Sequence, residues 1–279
     1  MNGEVRAFLA LVVIAVLGWV GYQMLFSDST TLQVVLEDVR GKVEVESRGE
    51  RAPAAVGAQI GASDRLVSGA DGQAVLAFGD QNKVTLEPNT SVQVTSVDAT
   101  GVRLSLEDGR VQATIRPGGR GLGITAGGRT VQASDADFAV ARTADGVGVE
   151  STRGAVTVDG TEVKAGQRTL LPRDGTPLQM PTSDVLLLQM AWPTEQRTVA
   201  GTVRVQGTTE PGARVRAKTA AGTAEATAGR DGAFSVDVML AEGENAVAVE
   251  SVNIFGQVAK ADWRVARDST PPSIGVRIE

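Results

Sequence analysis

Apolar and polar residues alternate along most of this chain after residue 31, and this period of two limits the fold more than any other feature. Stretches such as 42–46 and 91–95 place apolar side chains on one face and polar side chains on the other, as half-buried β-strands do. The stretch 156–163 predicts the clearest hairpin, with Asp159-Gly160 at its turn. The pattern predicts an all-β fold. Further Asp-Gly pairs, several of which can supply positive-φ turns, begin at positions 71, 108, 145, 174 and 231.

The composition excludes several kinds of chemistry. The chain has no cysteine and no histidine, so it can form no disulfide, no thiolate nucleophile, no Ser-His pair and no zinc site of the usual type. Charged residues make up 22% and the net charge is −6, so no basic field exists for nucleic acid. Carboxylates number 33, but no pair is marked out as an acid and base for glycan hydrolysis. We therefore expect no enzymatic activity, no cofactor and no metal.

A charge-free apolar segment, 7–27, precedes the alternating region. It is long enough for a transmembrane helix, and Trp19, Tyr22 and Phe26 lie toward its far end, where aromatic rings favour the headgroup zone. Arg6 precedes it and acidic residues follow, which places residues 1–6 in the cytoplasm by the positive-inside rule. The alternative is a cleaved signal peptide, although the residues after Val20 are a poor cleavage context. We expect an uncleaved anchor in a bacterial inner membrane, with the bulk of the chain in the periplasm.

The exported part divides into two β-regions. Alternation over 32–171 gives way at 172–198 to a segment with four prolines around one apolar stretch, which we interpret as a flexible linker holding one strand. A second β-domain is expected at 199–267, followed by an extended tail at 268–279.

A succession of strand and turn positions runs from Gly41-x-Val43 through Leu106-x-x-Gly109-x-Val111 to Gly154-x-Val156. On this succession, residues 41–167 resemble the FecR-type periplasmic domain, named after the ferric citrate uptake regulator. The resemblance implies a compact β-roll used for sensing or binding. Two family positions differ, at Ser63-Asp64 and at Asp135-Ala136. The matching positions are mostly glycines and apolar residues of strands and turns: Gly41, Val43, Pro53, Gly57, Ile60, Leu66, Gly72, Leu76, Val84, Leu86, Leu106, Gly109, Val111, Phe138, Val140, Val149, Gly154, Val156 and Gly166.

Residues 199–267 resemble a bacterial immunoglobulin-like sandwich. Pro211-Gly212 is expected at a turn, Phe234 in a two-sheet core, and Gly243 and Gly256 at strand corners. No Cys-Trp-Cys pattern is present, so the antibody subtype is not implied.

Two features outside these patterns could form a site. Residues 121–126 match the letters of a dinucleotide fingerprint, G-x-G-x-x-A, but Gly127-Gly128 follow at once and no helix is expected, so we interpret them as a glycine-rich loop between strands. Four arginines around that loop could contact an anionic polymer or a partner's carboxylates, although a solvated rim is the simpler interpretation. These candidate partner-contact residues are Arg110, Arg116, Arg120 and Arg129.

The main functional hypothesis is a non-enzymatic envelope protein that binds or scaffolds another envelope protein or peptidoglycan, with the lipid bilayer contacted through 7–27. The alternative is transmembrane signalling, because the family that the chain resembles controls sigma factors. Residues 1–6 are too short for a sigma-binding arm, so a signal would have to pass through another membrane protein. A carboxylate-based glycan hydrolase is a remote third hypothesis.

Overall fold

The computed structural model describes residues 32–79, 81–118, 120–173 and 175–270. Regular structure in these ranges consists of 24 strands and no helix, which confirms the all-β expectation. The expected fold class needs one correction, because no helix of the described residues is long and apolar enough to cross a membrane. The transmembrane helix predicted at 7–27 lies outside the described residues.

Sixteen strands form one continuous sheet, which we call the N-terminal module (residues 34–181). They are β1 (Val34–Arg40), β2 (Val43–Ser47), β3 (Glu50–Pro53), β4 (Gln59–Ile60), β5 (Arg65–Ser68), β6 (Gln73–Phe78), β7 (Asn82–Leu86), β8 (Ser91–Asp98), β9 (Gly101–Ile115), β10 (Gly121–Ala126), β11 (Arg129–Ala133), β12 (Ala136–Thr143), β13 (Gly146–Val158), β14 (Thr161–Lys164), β15 (Gln167–Pro172) and β16 (Leu178–Pro181).

The module folds into two layers because the long strands β9 and β13 each belong to both. The pairing order of the first layer is β16-β15-β13-β12-β9-β7-β6-β1-β4. The order of the second is β3-β2-β5-β8-β9-β10-β11-β13-β14. Fully buried side chains come from both layers, including Leu76 and Val84 of the first and Leu104 and Ile124 of the second. The apolar halves of the alternating strands therefore form a core between the layers.

Two glycines mark the points where β9 and β13 pass from one layer to the other. Gly109 has φ +89°, and a Cβ there would lie 2.5 Å from the backbone oxygen of Asn89. Gly154 has φ +71°, and its Cβ would lie 2.2 Å from the oxygen of Asp135. Neither position tolerates a side chain, which gives a physical reason for these two glycines in the pattern described above.

The predicted hairpin at 156–163 is confirmed. β13 pairs with β14 in the register Val158 with Thr161, and Asp159 (φ 47°) and Gly160 (φ 85°) form the two-residue turn. Two successive positive φ angles are those of a type I′ turn, which suits the twist of the strands. By contrast, Asp108-Gly109 lies within β9 and is not a hairpin turn.

Eight further strands form two sheets, which we call the C-terminal module (residues 189–267). The core between the two sheets is built from alternate residues, including Val205, Val215, Phe234, Val236 and Val249. The immunoglobulin-like assignment stays a prediction. The strands are β17 (Gln189–Ala191), β18 (Arg197–Thr198), β19 (Thr202–Thr208), β20 (Arg214–Thr219), β21 (Gly222–Thr227), β22 (Ala233–Met239), β23 (Gly243–Val252) and β24 (Val258–Arg267), with pairing orders β17-β19-β22 and β18-β24-β23-β20-β21.

The segment predicted as a flexible linker, 172–198, is held by both modules. Its described part contains three short strands where one was expected: β16 pairs with β15, β17 pairs with β19, and β18 pairs with β24. Leu186 is buried. The described residues from Gln33 to 270 belong to one compact unit that includes both modules, and the flexibility of the connection stays a prediction.

Candidate functional site

Three neighbouring strands of the first layer are buried on both faces, although their outer face would meet water in an isolated module. Buried runs occupy 138–141 in β12, 146–149 in β13 and 168–171 in β15. Alternation of buried and more exposed residues, which β6 and β7 show, stops in these runs. Something must cover their outer face. The side chains and glycine on that face, which we call the covered face, are Arg110, Ala139, Ala141, Gly148, Glu150, Arg168 and Leu170.

The C-terminal module covers this face with the turn between β23 and β24, residues 253–257, which we call the docking loop. Phe255 lies against Gly148 so closely that a Cβ on Gly148 would be 2.8 Å from its ring and 2.7 Å from a methyl carbon of Ile254. Gly212, in the turn before β20, approaches Leu170 in the same way, with 2.8 Å from its hypothetical Cβ to Leu170 Cδ2. Small residues on both sides therefore permit the close contact.

A buried ion pair joins the two modules at this contact. Arg168 Nη2 lies 2.6 Å from a carboxylate oxygen of Glu210, and the two side chains are only 6% and 8% exposed. The guanidinium also lies 5.6 Å from the centroid of the Phe255 ring, within cation–π range. Removal of both charges from water is costly, and the short contact together with hydrogen bonds from neighbouring groups offsets part of that cost.

Asn253 holds the docking loop in shape and links it to the ion pair. Its side-chain oxygen accepts from the backbone N–H of Phe255 and of Gln257, at 3.1 and 2.9 Å. Its amide nitrogen donates to Glu210 Oε2 at 3.0 Å and to the side-chain oxygen of Gln257 at 2.8 Å. The buried amide therefore fixes the loop backbone and orients the carboxylate that Arg168 binds.

Arg110 makes a second contact to the docking loop. Its Nη1 donates to the backbone oxygen of Phe255 at 2.9 Å and lies 3.5 Å from a carboxylate oxygen of Glu87. Within the described residues, the Nε atoms of Arg110 and Arg168 are buried and have no hydrogen-bond partner. The docking loop therefore leaves part of the donor capacity of both guanidiniums unused.

Glu150 is a third charged group on the covered face, directly across the strand pair from Arg168. Burial raises the pKa of its carboxyl, and the negative charges of Glu210 and Asp184 act in the same direction. Arg168 and Arg110 oppose the increase without cancelling it. Two carboxylates, Glu150 and Glu210, thus lie in the field of the buried Arg168, and Arg110 acts on Glu150 as well.

A cleft of about 670 Å³ adjoins the contact. Leu170 and Leu178 line one side, and Pro211 and Ile254 line the other. Arg214 and Asp145 also line the cleft, where Arg214 Nη2 binds Asp145 at 3.0 Å, and these side chains are 53% and 45% exposed. This second ion pair between the modules is open to water.

The four arginines predicted as one rim do not form one site. Only Arg110 lies on the covered face. Arg116 binds Asp137 at 2.6 Å, and its backbone lies beside that of Arg120, since Asn82 hydrogen-bonds both. Arg129 binds the turn residue Asp159 at 3.1 Å. A role of these residues in partner contact stays a prediction.

The letters G-x-G-x-x-A form no nucleotide site. Residues 121–126 are strand β10, which is followed by a Gly127-Gly128 turn and strand β11, so no helix N-terminus is available for a phosphate. The described part of the chain also holds no group of three or more acidic side chains that could bind a metal ion.

Comparison with known protein families finds a match to one part of the N-terminal module. Residues 64–157 match the family described as FecR protein. No curated protein matches the chain. This match confirms the N-terminal resemblance over those residues, and it supports a regulatory or signalling role better than a scaffolding one.

Solved structures show only weak likeness. A proposed anti-sigma factor from Parabacteroides distasonis is similar over 41% of this chain, with 16% identity and a TM-score of 0.37, and this chain spans 57% of its length. A 1.5-MDa bacterial ice-binding adhesin is similar over 85% of both chains, with 14% identity and a TM-score of 0.22. These TM-scores are too low for an argument about fold or function.

Proposed function

We propose that this protein is a non-enzymatic regulator, whose signalling state depends on whether the C-terminal module is docked on the covered face. The observation that carries the proposal is the position of that face: Arg110, Gly148 and Glu150 all lie within the 64–157 match to the FecR family. The C-terminal module thus covers part of the region that resembles a regulator, and Arg168 and Leu170 of the same face follow the matched residues.

The chemistry of the contact supports a regulatory role. A buried ion pair gives little net stability relative to apolar packing of the same volume, but it strongly penalises any other alignment of the two surfaces. Arg168 and Glu210 therefore favour one orientation of the modules without making their separation prohibitive. Such a contact has two discrete states, docked and undocked, and a partner that binds one of them more tightly shifts the equilibrium between them.

The test is to compare transcripts of the source bacterium when the chromosomal copy is deleted and when it carries Arg168→Ala. We expect Arg168→Ala to change a set of transcripts that the deletion also changes, because the variant favours the undocked state. The exposed variant Arg214→Ala is the matched control and should leave the transcripts as in the wild type. Immunoblots must show equal protein amounts.

Transcripts that do not respond to the deletion under any envelope stress would contradict the proposal. They would favour the scaffolding hypothesis, in which an envelope protein or peptidoglycan is simply held. The periplasmic location expected from the sequence stays a prediction, which fractionation of the same cells tests.

A further inference from the structure

We infer that the covered face is an exchangeable binding site for a partner protein's tight turn that carries an aromatic side chain and a carboxylate, and that the docking loop is its internal competitor. This inference rests on the proposed function, since it names the kind of partner that would shift the docked state. It adds a ligand class that the regulatory role alone does not specify.

The chemistry of the ligand follows from what the covered face now binds. Arg168 binds a carboxylate with its Nη2 and lies over an aromatic ring, so it recognises both groups at once. Arg110 binds a backbone carbonyl next to that ring. Gly148 leaves the space that the ring fills. A tight turn with an aromatic residue at its tip and an acidic side chain beside it supplies all three groups.

Two features of the docked state favour exchange. The docking loop leaves Nε of Arg110 and of Arg168 without a hydrogen-bond partner among the described residues, so a ligand with one more acceptor would bind them more completely. The centre of the face is made of Ala139, Ala141 and Gly148, which offer little apolar area, so the apolar contact there is supplied by Phe255 and Ile254 of the docking loop.

A protein turn fits this face better than a glycan does. Sugar rings are usually bound on aromatic side chains of the receptor, and here the aromatic ring belongs to the ligand side of the contact. The covered face itself offers guanidiniums and small residues, which suit a carboxylate, a carbonyl and a ring.

The test uses the full chain with its internal ligand weakened by Phe255→Ala and Glu210→Gln, which we call the opened variant. The probe is a fluorescein-labelled nine-residue peptide of positions 250–258 carrying Asn253→Asp. Asn253 Nδ2 lies 3.0 Å from the Glu210 oxygen that Arg168 binds, so an aspartate there brings a carboxylate close to the guanidinium. Fluorescence anisotropy measures binding.

We expect the probe to bind the opened variant about tenfold more tightly than the same peptide with Asn253 retained, since a charge-assisted bond replaces a neutral one. A probe with Phe255→Ala should lose binding, and so should an opened variant that also carries Arg168→Ala. Opened protein that also carries Arg204→Ala, which breaks an exposed ion pair with Asp237 inside the C-terminal module, is the matched control and should bind as before.

The inference would be overturned if the probe did not bind the folded opened variant. It would also be overturned if the probe bound equally well after Arg168→Ala. Concentration-dependent dimerisation of the opened variant without probe binding would also overturn it, because the occupant would then be a second copy of the chain.

If circular dichroism shows that the opened variant does not fold, the same displacement is tested on the wild type. Excess probe should then speed hydrogen exchange at 253–257, and no change there would contradict displacement. Transcript responses are read separately, so failure of the regulatory role and failure of the ligand class give different results.

Discussion

Two arginine–carboxylate pairs join the same two modules, and they differ mainly in burial. Arg168–Glu210 and Arg214–Asp145 have similar separations, 2.6 and 3.0 Å, but the first pair is almost fully buried while the second is about half exposed. Water screens the exposed pair and solvates either partner when the other is removed. The buried pair has no such substitute, so we expect burial, and not distance, to decide which contact controls docking.

The largest expected effect comes from removal of one buried partner. Arg168→Ala leaves the Glu210 carboxylate buried without its counter-charge, and we expect a loss of about 3–5 kcal/mol in the free energy of unfolding. Urea denaturation measures it. The double variant with Glu210→Gln should recover part of the loss, because no uncompensated charge then remains. A loss for Arg168→Ala no greater than that of Arg214→Ala would break the comparison.

A steric change at the same contact should have the next largest effect. Gly148→Ala places a Cβ within 2.7 Å of Ile254 and 2.8 Å of Phe255, and we expect destabilisation of about 1–3 kcal/mol from overpacking. Gly123→Ala is the matched control, since its Cβ would meet only Arg103, at an ordinary 3.5 Å. Equal melting temperatures for the two variants would show that the docking loop does not press on Gly148.

A smaller effect is expected from Glu150, and it depends on pH. Its pKa is raised in the folded state, mainly by burial, so the folded protein binds this proton more tightly than the unfolded chain does. Its contribution to stability is therefore best below the ordinary glutamate value of 4.5 and falls as pH rises through the folded-state pKa. Arg168, Arg110, Glu210 and Asp184 are the charges that act on it.

Glu150→Gln should accordingly be more stable than the wild type at neutral pH, and this advantage should shrink as the solution is acidified. Denaturation curves at several pH values measure it. An advantage that grows on acidification would show that ionised Glu150 helps to hold Arg168.

The smallest effect is expected at the exposed pair. Arg214→Ala should cost only about 0.2–1 kcal/mol, because both side chains are well hydrated when separated. The difference from the wild type should shrink further in high salt, where exposed charges are screened. A salt-independent loss as large as that of Arg168→Ala would remove the distinction between the two pairs.

Local features of the fold could be predicted from the sequence, and the site could not. Asp159-Gly160 encodes its turn through the φ angles that those two residues tolerate, and alternation over β22 places Phe234 in the core. Gly109 and Gly154 belong to the family pattern in the sequence. Their role where β9 and β13 pass between the layers depends on Asn89 and Asp135, which come close only in the folded chain.

The covered face could not be predicted from the sequence, because its contacts join distant parts of the chain. Arg110 and Phe255 are 145 residues apart, and no local pattern links them. One signal for it is present in the sequence. The alternation of apolar and polar residues stops at 138–141, 146–149 and 168–171, where small or apolar residues occupy most outward positions. Three such failures on neighbouring strands indicate a sheet face that is covered on both sides.

The distance between the modules in solution tests the account most directly. The chain has no cysteine, so Thr95→Cys and Thr223→Cys, both at exposed positions, give one spin label on each module without competing sites. Double electron–electron resonance should give a single narrow distance for this labelled protein and a broad distribution once Phe255→Ala and Glu210→Gln are added. A broad distribution before those changes, as a flexible linker would produce, would contradict the docked state on which the account depends.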